Sequence, residues 1–182
     1  QTGTLQGHSD TIIRLVIFTT LDGDTCLASG GEDETIKIWK IRPMSLVGTL
    51  ESQPSCTVCA LAVFLHPDGR MCLASGHLNG DICLWDLKSQ TLVKAFREHR
   101  APIWSFTTFT QKNGSMCLAS GGNVIKIWNV ESLELMRELG APDEKNISYL
   151  TTLTCQDGKV CLVSCNGTST MMIWEEKERL TS

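Results

Sequence analysis

Apolar residues in this chain fall in short runs, and turn residues separate them. The first stretch shows the pattern: Ile12 to Phe18, Cys26 to Gly30, Thr35 to Trp39 and Leu46 to Leu50. Some runs alternate apolar with polar positions and others are nearly continuous, while Gly, Asp, Asn and Pro punctuate them. Runs this short, bounded this way, predict β-strands. A nearly continuous apolar strand suits a sheet that is packed on both faces. The expectation is a four-stranded unit, with strands a to d, built from short hairpins.

The unit repeats. Cys26-Leu27-Ala28-Ser29-Gly30-Gly31 returns as Cys72-Leu73-Ala74-Ser75-Gly76-His77 and as Cys117-Leu118-Ala119-Ser120-Gly121-Gly122. It decays to Cys161-Leu162-Val163-Ser164-Cys165-Asn166, with the leading cysteines 46, 45 and 44 residues apart. An apolar-Trp pair follows each: Ile38-Trp39, Leu84-Trp85, Ile127-Trp128 and Ile173-Trp174. A hairpin-turn pair precedes each: Asp22-Gly23, Asp68-Gly69, Asn113-Gly114 and Asp157-Gly158. A period of this length marks a repeat architecture.

These marks resemble the WD40 family, whose units are four-stranded propeller blades. The family's Gly-His mark stands as Gly7-His8 and, weakened, as Glu98-His99. Its Trp-Asp mark is intact only at Trp85-Asp86; elsewhere it reads Trp39-Lys40, Trp128-Asn129 and Trp174-Glu175. The resemblance covers nearly the whole chain and implies an all-β, WD40-type β-propeller of four-stranded antiparallel blades. It also implies a structural tetrad in blade one of His8, Ser29, Asp33 and Trp39, because a half-buried indole and imidazole need hydrogen-bond partners. Blade two has Pro54 at the His position and Asn79 at the Asp position. Blade three keeps His99, Ser120 and Trp128 but is two residues short in its b–c turn. Blade four keeps Ser164 and Trp174, with Asp143 and Thr168 at the other two positions.

The register of the ends predicts one segment arranged as residues 1–5 (a strand d), 6–50 (blade one), 51–96 (blade two), 97–139 (blade three) and 140–182 (strands a to c of blade four). Strand d of blade four would begin near Thr181. On this reading residues 1–5 pair beside the strand ending in Trp174, in the same chain or in a second copy. Three completions stay open: a longer propeller, a homodimeric eight-bladed ring made by strand sharing, or another chain.

Charge narrows the function. A net charge of −4 argues against binding nucleic acid through broad positive potential. No run of 18 apolar residues predicts a membrane span, and no signal-peptide pattern opens the chain. The nine cysteines are odd in number and four are phased with the repeat, which predicts thiols in a reducing, intracellular (cytoplasmic) compartment.

No catalytic constellation emerges. His66 and His77 sit in turns, and no nucleophile motif accompanies any of the four histidines. Cys56-Thr57-Val58-Cys59 has metal-like spacing but lacks a second pair, so no metal and no cofactor are expected. What remains is a non-catalytic scaffold for protein or peptide partners, with a structural assembly role as the alternative. The resemblance places partner contacts on the face carrying the d–a and b–c loops. There the position five residues after the His mark holds Ile13, Cys59, Trp104 and Ser148, with Arg14 and Tyr149 one step further along. Trp104 is either an interface anchor or a side chain packed between blades. Asp10 and Glu32 lend that face negative charge.

Overall fold

The computed structural model describes residues 3–51, 55–140, 146–155 and 159–175. Its regular structure there is strand: β1 (Ile12–Thr19), β2 (Thr25–Gly31), β3 (Thr35–Lys40), β4 (Ser45–Glu51), β5 (Val58–Leu65), β6 (Met71–His77), β7 (Ile82–Asp86) and β8 (Thr91–Phe96). Next come β9 (Ser105–Thr110), β10 (Met116–Gly121), β11 (Val124–Asn129), β12 (Leu135–Gly140), β13 (Tyr149–Thr154), β14 (Val160–Cys165) and β15 (Met171–Trp174). Among the described residues no helix is long and apolar enough to cross a membrane.

Chain order dictates the sheets. Consecutive strands pair antiparallel in β1-β2-β3-β4, β5-β6-β7-β8, β9 to β12, and β13-β14-β15. The first a–b turn shows why: Thr20 N–H donates to Asp24 O at 2.9 Å, and Gly23 takes a φ of 86° that a side chain would resist. Asp68-Gly69 and Asn113-Gly114 close their hairpins in the same way. Each repeat Trp stands last or next to last in its third strand, and in the three complete sheets it faces the Leu seven residues on: Trp39 opposite Leu46, Trp85 opposite Leu92, Trp128 opposite Leu135.

The first strands β1, β5, β9 and β13 lie side by side, and the sheets stack face to face. Three apolar clusters fill the gaps. Phe18, Ala28, Ile36 and Ile38 of the first sheet meet Leu73, Cys83 and Trp85 of the second. Phe64, Ala74 and Leu84 then meet Leu118 and Trp128, and Cys117, Ala119 and Ile127 meet Leu150, Leu162 and Trp174. Both faces of the inner sheets are therefore buried, as their apolar strands require.

One relationship repeats at each junction. A side chain on Gly30 would collide with Val58, on Gly76 with Ile103, and on Gly121 with Ile147. The strand-b glycine of one sheet is thus a socket for a fully buried β-branched residue that leads into strand a of the next.

The ends differ from expectation. Gly3 to Leu5 form no strand; Gly3 instead lies against Met44. Among the described residues β15 has no partner on its outer side, so the pairing of the first segment with β15 within one chain is not made there. Gln1 and Thr2, Pro54, Asp143 and Thr181 lie outside the described residues.

Candidate functional site

A serine and a tryptophan form the constant element of each sheet. Ser29 stands on strand b directly before the socket glycine, and its Oγ accepts the Trp39 indole N–H at 2.7 Å. Trp85 donates to Ser75 at 2.9 Å, Trp128 to Ser120 at 2.9 Å and Trp174 to Ser164 at 2.8 Å. The indole N–H is satisfied in all four sheets, buried in the first three and half-buried in the fourth.

Sheet one completes the tetrad. His8 Nε2 lies 2.6 Å from Ser29 Oγ, and Nδ1 lies 2.7 Å from Asp33 Oδ2. Burial alone would raise the Asp33 carboxyl. Hydrogen bonds from His8, from the Ser9 N–H and from both Thr35 donors outweigh it and hold Asp33 below its ordinary value. The network ties the d–a loop to the b–c turn.

Sheet two rebuilds the tetrad from a residue that sequence reasoning assigned to a turn. His77 ends β6, is fully buried, and places Nε2 3.0 Å from Ser75 Oγ. Its Nδ1 lies 3.1 Å from Cys56 O. A carbonyl only accepts, so Nδ1 carries the proton and Nε2 accepts from the Ser75 hydroxyl. Asn79 is not its partner: that carboxamide donates to Asp81 at 2.9 Å in the b–c turn. The signal was available, because His77 lies two residues beyond Ser75 and in a strand would share its face.

Sheet three keeps His99, with Nε2 2.7 Å from Ser120 Oγ. The shortened turn puts Asn123 near Nδ1, yet both His99 Nδ1 and Asn123 Oδ1 are buried without hydrogen-bond partners. Burial, and then the Lys126 charge, push the His99 ring down to about 4. In sheet four Thr168 donates to Asn166 at 2.6 Å rather than joining the Trp174–Ser164 pair.

The anticipated contact residues divide. Arg14 reaches inward: Nε donates to Cys59 O at 2.8 Å and Nη2 to Trp104 O at 3.1 Å. It thereby fastens the entrance of strand a in three successive sheets. Cys59 is fully buried, and burial pushes its thiol up to about 11, so its side chain is not a contact surface and that expectation is corrected. Ile13 and Trp104 are half-buried, while Tyr149 is 59 % exposed. Asp10 and Glu32 are exposed beside one another's loops, since Glu32 N–H donates to Thr11 O at 2.9 Å.

The opposite end carries a groove of about 380 Å³ between sheets two and three. Phe64, Cys72 and Leu84 form its floor, and Val93 and Leu133 its walls. Arg70 at the rim is committed to Asp68 at 2.6 Å. Among the described residues no three metal-ligating side chains come together.

Stacked four-stranded sheets, joined in order and tied by a Trp–Ser pair, define a β-propeller. The WD domain, G-beta repeat, matches residues 1–40, 44–86 and 90–129, and the chain belongs to the WD40 family. No curated protein sequence matches the chain. Among solved structures it is similar to the RRP9 WD40 repeats and to U3-55K, each with a TM-score of 0.76 at 24 % identity. Those alignments cover 94 % of this chain and 50 % and 51 % of the other chains, respectively. The WD40 beta propeller domain of Doa1 aligns with a TM-score of 0.72 at 19 % identity, over 98 % of this chain and 55 % of that one. The chain therefore spans about half the length of the propellers it matches.

Proposed function

We propose that the chain is a non-catalytic, intracellular scaffold that binds a protein or peptide at its d–a and b–c loop face. One observation carries this reading. Arg14 holds the strand-a entrances of three sheets by their backbone, and at that level Trp104 is half-buried and Tyr149 largely exposed. A rigid aromatic surface beside exposed acids, Asp10 and Glu32, suits an extended segment with apolar and basic residues. Affinity capture with wild type and with Trp104→Ala/Tyr149→Ala tests it. A partner retained by wild type should be lost from the variant and competed by a peptide of its own sequence. Equal retention by both would overturn the assignment.

The end sheets favour a second reading, assembly with further blades. Leu15 is 62 % and Ile17 71 % exposed on sheet one, and Met171 is 75 % and Ile173 62 % exposed on sheet four. These positions match those that pack between the inner sheets. A second copy of this chain is the less favoured neighbour, because Cys165 replaces the socket glycine that Ile12 would have to enter. Sedimentation of the isolated chain separates the cases: a stable dimer supports the homodimeric ring, and a monomer excludes it.

A further inference from the structure

The cysteine near the start of strand b faces a turn residue other than cysteine in three sheets and a second cysteine in the fourth. Cys26, Cys72 and Cys117 each face an a–b turn whose first residue is Thr20, His66 or Gln111. In sheet four that turn residue is Cys155. Its N–H donates to Lys159 O at 2.7 Å, the same turn bond that Thr20, His66 and Gln111 make. Cys155 and Cys161 then share one face of the β13–β14 hairpin, and their sulfurs lie 3.3 Å apart. Bonding distance is about 2.0 Å, about 1.3 Å shorter than this contact.

We propose that Cys155 and Cys161 are a modification site, a dithiol oxidised to an intramolecular disulfide by a small-molecule disulfide of the glutathione type. Cys155 is half-buried and Cys161 buried, which sets the order of attack. The Cys155 thiolate attacks one sulfur of glutathione disulfide, forms a mixed disulfide and expels the first glutathione thiolate. The Cys161 thiolate then attacks the Cys155 sulfur, forms the internal bond and expels the second. The two protein sulfurs lose two electrons in all, glutathione disulfide gains them, and the two thiol protons end on two glutathione molecules. The bond clamps the start of β14 to the end of β13. It lies on the outer face of the fourth sheet, beside Leu153 and with Ile173 and Met171 further along the same face, where it would alter the surface offered to any further blade.

The test holds the folded full chain in excess oxidised glutathione, blocks remaining thiols with N-ethylmaleimide in denaturant, and maps peptides by mass spectrometry. Two of the nine cysteines should be protected by one 155–161 link, and seven should carry the label. Cys26→Ser, at the equivalent position of sheet one, should leave the link intact. Cys155→Ser should abolish it and leave Cys161 labelled. Nine labelled cysteines, glutathione retained on Cys155, or links scattered among the other cysteines would each overturn the proposal.

Discussion

Ile103 occupies the space that a side chain on Gly76 would need, with its Cγ2 2.7 Å from the position of that missing Cβ. Both residues sit in the core between the second and third sheets, where nothing can move aside cheaply. Gly76→Ala should therefore destabilise the chain by about 1–3 kcal/mol through overpacking. Adding Ile103→Ala removes that Cγ2, so the double variant should lose less than the sum of the two single losses. Chemical denaturation of the single and double variants measures both, and a neutral Gly76→Ala would mean the blades do not meet as described.

The strand pattern was legible because each strand repeats its apolar face. Strands a to d of blade one were expected within one residue of where β1 to β4 begin and end. The tetrad of blade one was legible as well, since all four residue types stand at family spacing. Blade two was misread for a physical reason. A missing d–a histidine can be replaced by one that reaches the same serine from strand b, and motif order along the chain does not show this. Cys59 was misjudged because position in the unit does not report burial, and the Gly76–Ile103 socket joins residues 27 positions apart in different repeats.

The two histidine ties should be equivalent in strength. Asp33→Ala strands the His8 Nδ1–H and the Thr35 donors in a half-buried site, at a cost of about 1–3 kcal/mol. His77→Ala should cost a similar amount, whereas Asn79→Ala, in an exposed turn, should cost under about 0.5 kcal/mol. Urea titrations of the three variants distinguish this from a blade two without a tetrad, in which His77→Ala would be no worse than Asn79→Ala.

Acid should weaken blade three before it weakens blade one. The folded His99 ring titrates at about 4, below the ordinary 6.5 of the unfolded chain. Between those values the unfolded state binds a proton that the folded state does not. Stability is thus full above about 6.5 and falls as pH drops toward about 4, by roughly 2–4 kcal/mol in all. Asp33 acts lower: its carboxyl is depressed, so its contribution is present above the ordinary 3.8 and is lost only below it. His99→Gln should reduce the dependence below pH 6.5 and leave the smaller share of the buried His77, whose ring burial also pushes down; an unchanged slope would show that His99 does not cause it.

Arg14 is expected to act through structure. Arg14→Met keeps much of the aliphatic stem but removes the donors to Cys59 O and Trp104 O, charge-assisted bonds worth about 1.5–3 kcal/mol each at most. The fluorescence of Trp104 should shift as its backbone loosens, and partner binding should fall with it. Unaltered fluorescence with lost binding would instead make Arg14 a direct contact.

The loop face itself is tested most directly by photo-crosslinking. A benzophenone side chain replaces Tyr149 on the proposed binding face and, in a separate protein, Leu21 in an a–b turn at the opposite end. Irradiation in cell extract should yield a discrete covalent partner from position 149 that disappears with Trp104→Ala, and none from position 21. The same partner from position 21, or none from position 149 in a folded protein, would contradict a scaffold that binds through its d–a and b–c loops.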